Sequence, residues 1–334
     1  MNIQLSFTNS ILLFILSAGC IWYFCTKLSE IVDYIDNAFK LGSAFGGTIM
    51  LSIVTNLPEI AITLNSAIKG NTDLAVGNIL GGITVQSALL VLFDFAGGKN
   101  TKPLSTLTSD KTSLLQGLFL VAILSLVIIG KQFNEAFLFS RTTPPEILIF
   151  ITWIASIFAM KRFQKNNPEA SVHMPSKKTM TKFSSVVWLI IVSIAVLVFG
   201  VLLEITSNTI AVHLHITGVL FGATILALIT SMPEISGGLA FVKHKSYKPI
   251  ISDIFGGNIF LPVLFLPATL ITNKAIIPTS SNIDIYLTVT SIIITTIYLM
   301  GMIVQNAEKK FGLGIDSWVV LGVYVCSILG MFYL

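Results

Sequence analysis

Charge is scarce in this chain. Charged residues make up 11% of its 334 positions, where a soluble domain carries about 25%, and that shortage excludes a water-soluble globule. The three cysteines, Cys20, Cys25 and Cys326, fall in apolar runs with no CxxC or Cys/His spacing. This excludes a disulfide framework or thiolate metal site and reads as buried structural thiols. The motifs GxxxxGK(S/T), HExxH and GxSxG are absent, so nucleotide-driven and hydrolytic chemistry lacks its usual phosphate cradle, zinc pair or nucleophile. No enzyme is expected, and no cofactor. Long polar segments are missing too: the longest, KRFQKNNPEASVHMPSKKTMTK from Lys161 to Lys182, has the length of a linker and not of a regulatory module. The opening MNIQLSFTNS lacks the basic n-region and small-residue cleavage site of a secretory signal, so the first apolar run is expected to be retained.

What fills the chain is apolar sequence: 54% hydrophobic residues and a mean hydropathy of +0.87. About 20 apolar residues cross the hydrocarbon core as a helix, and turn signals and charges divide this chain into ten such runs, at roughly 9–28, 42–68, 73–95, 113–130, 146–161, 184–205, 217–242, 249–272, 283–304 and 314–333. The fold class read here is an all-α membrane protein with ten transmembrane helices, partnered by the lipid bilayer. Of the twenty Lys and Arg residues, sixteen fall in the odd-numbered connections and four in the even ones. The bias makes the odd connections cytoplasmic and puts both termini outside. The net charge of +4 belongs to those loops, so nucleic acid is not an expected partner.

A repeat lies inside this pattern. GTIMLSIVTNLPE, Gly47 to Glu59, aligns without a gap on GATILALITSMPE, Gly222 to Glu234, at an offset of 175, and at the same offset VGNILGG, Val76 to Gly82, aligns on ISDIFGG, Ile251 to Gly257. Five helices separate the copies, so they enter the membrane from opposite sides. The expectation is two inverted five-helix repeats, 1–160 and 184–334, joined by a cytoplasmic linker at 161–183. Secondary transporters commonly build a midplane substrate site from such halves.

The paired segments carry the chemistry. Glu59 and Glu234 each follow a proline well inside an apolar run, where a charge costs roughly 2.5–3.5 kcal/mol and faces a cavity or a partner. No basic residue falls within these runs to serve them, which leaves a bound cation or a proton. Pro58 and Pro233 lack an N–H and break their helices, withdrawing the donor for the carbonyls of Val54 and Ile229. Those carbonyls, the hydroxyls of Thr55, Thr230 and Ser231, and the carboxylates make an oxygen-rich site of the kind that calcium or sodium takes. A plainer reading is that Asn56-x-x-Glu59 and Ser231-x-x-Glu234 are capping boxes restarting a kinked helix. On the neighbouring runs Asn78 aligns with Asp253, a third acid, and Gly81, Gly82, Gly256 and Gly257 permit close helix approach. With Glu59, Glu234 and Asp253 ionised the site carries −3. One Ca²⁺ leaves −1 and three Na⁺ neutralise it, whereas a site of two acids suits exchange against two protons. Asp94 and Glu204 are read as interfacial acids, His213 and His215 as an exposed loop pair, and Asn258 and Gln86 as supporting amides.

These residues resemble the two alpha-repeats of the calcium/cation antiporter superfamily, which includes the sodium/calcium exchangers. Each family repeat has a glycine-led block ending in (T/S)-S-x-P-E and then a block like GN-x-x-GSN; here they fall at about 46–95 and 217–270. The resemblance implies ten helices, ions held at the centre, two long helices that slide to alternate access, and a prokaryotic inner (plasma) membrane location, functional as a monomer. It implies Glu59 and Glu234 as principal calcium ligands, Asn78 and Asp253 as flanking ones, oxygen ligands from Thr55 and Thr230, and a sodium-coordinating hydroxyl on Ser231, with Asn56 replacing serine in the first repeat. Aspartate at 253 resembles sodium-coupled members; Gly82-Ile83 departs from the usual Ser-Asn. The expected function is Ca²⁺/Na⁺ antiport, with Ca²⁺/H⁺ antiport through the same site as its rival and a passive cation channel or an intramembrane enzyme as remoter ones.

Overall fold

The computed structural model describes residues 6–39, 50–133, 142–166, 182–277, 281–306, 308–331 and 333. Lys40, Gly46, Gly47, Arg141 and most of the 161–183 linker lie outside them. Every regular element among the described residues is helical: α1 (Phe7–Phe39), α2 (Leu51–Thr55), α3 (Leu57–Lys69), α4 (Thr72–Ala96), α5 (Leu104–Leu107), α6 (Lys111–Gly130), α7 (Pro144–Asn166), α8 (Lys182–His213), α9 (Gly218–Phe221), a π-turn (Gly222–Leu226), α10 (Ala227–Thr230), α11 (Met232–Lys243), α12 (Lys248–Phe260), a 3₁₀ turn (Leu261–Leu264), α13 (Phe265–Thr272), α14 (Asn282–Val304) and α15 (Ile315–Met331). Six of the described segments are long and apolar enough to cross a bilayer, and Gly218–Lys243 adds a seventh, bent by 42° at its break. The protein is therefore a multi-pass membrane protein.

Two helices outrun their predicted lengths. α1 has 33 residues and α8 has 32, about 50 Å each at 1.5 Å per residue, against a hydrocarbon core of about 30 Å. Their charges had marked ends at about 28 and 205, yet the apolar stripe continues past them. Phe14, Ala18, Ile21, Cys25, Leu28, Val32 and Ile35 are all buried, alternating spacings of four and three that keep one face of α1 inward. They join Val192, Val196, Leu203 and Ile210 of α8 in an apolar cluster separate from the main one. The outer face of α8, including Phe183, Trp188, Ile191, Ile194 and Val198, is exposed, which suits contact with lipid. The main core joins α4, α6, α12 and α14 through Ile79, Ile83, Leu120, Leu124, Phe255, Ile294 and Tyr298.

Small residues let the inner helices touch backbone to backbone. A Cβ on Gly77 would stand 2.6 Å from the Val219 carbonyl oxygen, and one on Gly222 would stand 2.9 Å from the Asn78 nitrogen, so α4 crosses the α9/π-turn segment with no room for a side chain. Gly82 differs from its expected role: the nearest atom to its Cβ position is Leu261 Cδ1 at 3.8 Å. The copies also differ where Pro262 sits in the 3₁₀ turn after α12, since proline supplies no donor to the helical ladder, while α4, with Ser87 at the aligned position, runs unbroken.

Candidate ion-binding site

The two proline-glutamate segments break in the same way. Asn56, between α2 and α3, has φ −87° and ψ 14°, and Ser231, between α10 and α11, has φ −84° and ψ 2°. Both lie in the sparsely occupied bridge region. Pro58 and Pro233 fall in the first turn of the following helix, where the missing N–H costs nothing; the carbonyls of Val54 and Ile229 in the preceding turn forgo their helical donor.

The capping-box reading fails at both breaks. Neither Asn56 nor Ser231 makes a side-chain cap. Both reach backwards: Asn56 Nδ2 donates to the Ser52 carbonyl at 2.6 Å and Ser231 Oγ to the Ala227 carbonyl at 2.7 Å. The backbone N–H groups of Asn56 and Ser231, which a capping box would offer to the glutamates, also bond backwards, to the Ser52 carbonyl at 3.3 Å and the Ala227 carbonyl at 3.1 Å, so Glu59 and Glu234 are left without a cap to orient them.

Those carboxylates are the central finding. Glu59 is fully buried and Glu234 is 3% exposed, and none of their four oxygens receives a protein hydrogen bond. No ion pair reaches either among the described residues. They lie close enough to feel each other's charge, and Asp253 acts on Glu234 in the same way. The hydroxyl of Thr230 faces Glu59 from the other half of the chain and lies 3.2 Å from the Ala227 carbonyl. Burying a carboxylate without donors or a counter-charge is strongly unfavourable. An ion or a proton would relieve that cost.

The other expected residues flank this pair. Asn78 is fully buried on α4 with neither amide atom partnered, where α4 crosses the π-turn. Thr55 is buried, its hydroxyl 3.4 Å from the Ser52 carbonyl. Asn56 lies against α12, its Nδ2 2.9 Å from the Cβ position of Gly257. Asp253 is half-buried, and among the described residues no three acidic, histidine or cysteine side chains converge at ligand spacing. The pair Glu59 and Glu234 is thus the centre, with Asp253 at its margin. Asn258 donates to Ser87 Oγ at 3.1 Å, while Gln86 leaves a buried amide nitrogen unpartnered.

Several assignments change. Asp94 is not an exposed interfacial acid: it is buried, ion-paired with Lys309 at 2.9 Å, and accepts from Leu104 N, Gly314 N and Ser317 Oγ at 2.7–2.8 Å. It pins α4 to the loops flanking α5 and α15. Glu204 does not end its helix either; α8 continues to His213, and the fully buried carboxylate accepts from Lys69 Nζ at 2.7 Å, from Asn71 Nδ2 at 3.3 Å, and from Asn65 Nδ2. The one local signal for it was Asn65-x-x-x-Lys69, donors one helical turn apart. Cys25 is buried as expected, within electrostatic reach of Glu59 and Glu234, but Cys326 is exposed. His213 and His215 are exposed, and His213 stacks on Phe7 with ring centroids 4.1 Å apart.

Comparison with known proteins follows the same line. The profile of the sodium/calcium exchanger protein family matches residues 9–160 and again 184–333. A protein named antiporter CaxA in Alkalimonas amylolytica is 27% identical over 221 residues, 64% of this chain and 65% of that protein's length, just under two thirds. The inner membrane protein YrbG of Escherichia coli K12 is 25% identical over 268 residues, 78% of this chain and 80% of that one. Among solved structures, native YfkE superposes with a TM-score of 0.70 at 12% identity, covering 98% of this chain and 92% of its own. The sodium-calcium exchanger NCX_Mj, soaked with Na⁺ and Sr²⁺, gives 0.64 at 19% identity, covering 96% and 97%; these likenesses concern the fold. With the family profile matched along nearly the whole chain, this protein belongs to the sodium/calcium exchanger family, whose members are membrane transporters and not enzymes.

Proposed function

We propose that the chain is a secondary-active antiporter that exchanges Ca²⁺ for Na⁺ by alternating access. The observation that carries this is the facing pair of buried carboxylates, Glu59 and Glu234, one at each helix break and neither supplied with a donor. Ca²⁺ is cargo here. Glu59 and Glu234 are its principal ligands, Asp253 and Asn78 flank it, and Thr55, Thr230, Ser231 and Asn56 complete an oxygen set of the kind hard cations take. Family membership, and the Na⁺ and Sr²⁺ named for NCX_Mj, support a cation as the occupant.

The architecture of this reading is ten membrane helices in two inverted halves of five, 1–160 and 184–334. It is supported by the offset of 175 and by the matched backbone angles at Asn56 and Ser231. The long helices α1 and α8, packed in an apolar cluster of their own, are the moving pair that opens the site to each face in turn. The chain works as a monomer in a prokaryotic inner membrane with both termini outside. Ionised Glu59, Glu234 and Asp253 balance up to three Na⁺ against one Ca²⁺, so turnover moves net charge.

Exchange of Ca²⁺ against protons through the same site is the second reading. The half-burial of Asp253 favours it, because two dominant acids match two protons. Radiolabelled Ca²⁺ uptake into proteoliposomes under an imposed Na⁺ gradient, then under a pH gradient, separates the two. Na⁺-driven uptake is expected, and uptake driven by pH alone would replace the first reading with the second.

A further inference from the structure

The two halves are not closed alike. Glu204, fully buried on α8, receives Lys69 and Asn65 from the last two turns of α3 and Asn71 from the turn before α4. Three donors from the first half thus close on one carboxylate of the second, and charge and hydrogen bonds are both satisfied. α8 also lies along α3 extensively, whereas α1 meets α11 over a short stretch.

The repeat sets the comparison. α1 and α8 begin 175 positions apart, at Phe7 and Lys182, the same offset as the two helix breaks. At that offset Glu204 aligns with Ser29, Asn65 with Ala240, Lys69 with His244 and Asn71 with Ser246. At the aligned positions the second copy therefore has a serine in place of the carboxylate, an alanine in place of Asn65, and a histidine and a serine in place of Lys69 and Asn71. Its nearest acid on α1, Glu30, is exposed and pairs within its own helix with Lys27 at 3.0 Å, and Lys243, His244 and Lys245 at the end of α11 are exposed.

We propose that the Glu204–Lys69–Asn65–Asn71 cluster is a one-sided clamp that holds α8 shut on α3 and biases the transporter to rest closed at the α3–α4 end. In an inverted repeat the two end states exchange the packing of α8 on α3 with that of α1 on α11. A clamp present in one copy and missing from the other stabilises one end state alone. Ions then enter from the α11–α12 end at rest, and opening the opposite end requires withdrawing Glu204 from its three donors. Glu204 and Lys69 touch no part of the ion site; they act by positioning α8. This rests on the alternating-access reading above.

The test uses the full chain in lipid nanodiscs, with spin labels carried by non-natural amino acids at the exposed positions Ile68 and Val212, and reads the distance distribution between them. Glu204→Gln and Lys69→Gln should each raise the ratio of long to short distances about tenfold, the scale of losing one hydrogen bond to a charged group. The exchanged pair Lys69→Glu with Glu204→Lys should return the ratio towards that of the parent. Monodisperse single variants with unchanged distributions would overturn the clamp, as would an exchanged pair that behaves like the singles. Flux by the unsubstituted chain is measured separately: flux with no counter-ion requirement would defeat the antiporter reading, while the distances still judge the clamp.

Discussion

Replacing Glu234 with glutamine should move thermal stability in opposite directions with and without Ca²⁺. Glu234 and Glu59 are buried and receive no hydrogen bond, so in an ion-free protein each costs stability and each raises the cost of the other. Glutamine keeps the shape and removes one of those charges. The ion-free variant should therefore unfold at a higher temperature than its parent, because breaking up a buried charge cluster in this way relieves several kcal/mol of desolvation and repulsion. With Ca²⁺ at about 100 times its dissociation constant, the parent gains about 2.7 kcal/mol by mass action, roughly 5 °C at the slope of a large domain. Two unit charges about 4 Å apart attract by about 4 kcal/mol near a protein surface, and a divalent ion doubles that before solvation is repaid. Losing one carboxylate should thus weaken Ca²⁺ by at least about 3 kcal/mol, over a hundredfold. At the same Ca²⁺ concentration the variant gains at most about 0.3 kcal/mol, so its calcium-dependent shift nearly vanishes. Fluorescence-monitored unfolding in detergent, with and without Ca²⁺, reads both numbers. A variant that unfolds earlier without the ion and keeps the full calcium shift would refute the reasoning.

Two further substitutions test the frame that holds the site. Gly81→Ala would set a methyl against the Ala223 backbone, where no flexible side chain can yield, and should cost about 1–3 kcal/mol; Gly237→Ala, mid-helix with nothing within 4 Å, should cost nothing and gain up to about 1 kcal/mol of helix propensity in the same unfolding assay. Asp94→Asn strands the buried Lys309 ammonium and should cost about 3–5 kcal/mol, whereas Lys27→Gln breaks an exposed pair with Glu30 and should cost less than about 1 kcal/mol.

The helix breaks were legible because proline has no N–H wherever it stands, and the repeat was legible because identical spacing survives without any contact being known. The ends of α1 and α8 were not. Lys27 and Glu204 look like interfacial residues in a hydropathy profile, yet Lys27 is paired with Glu30 within its own helix and Glu204 is neutralised by Lys69, so neither ends the helix. The periodic stripe through Leu28, Val32 and Ile35 carried the better signal. Asp94 was misplaced for a similar reason: its cation, Lys309, lies 215 positions away, and no local pattern announces a partner at that distance. The capping boxes matched by spacing alone, but Asn56 and Ser231 found a carbonyl in the turn behind them, the local competition that makes such side chains ambiguous. Gly82 looked like a glycine required for close packing, yet a Cβ there would meet Leu261 Cδ1 at an ordinary 3.8 Å, because packing depends on what crosses a helix.

The central claim is that Glu59 and Glu234, from opposite halves, form one cation site. Calorimetric titration of the purified chain with Ca²⁺ counts that site directly. The account predicts one Ca²⁺ bound per chain, displaced by Na⁺, and abolished by Glu59→Gln or Glu234→Gln alone. Two Ca²⁺ per chain, with one retained in each single variant, would mean two independent sites and would contradict it.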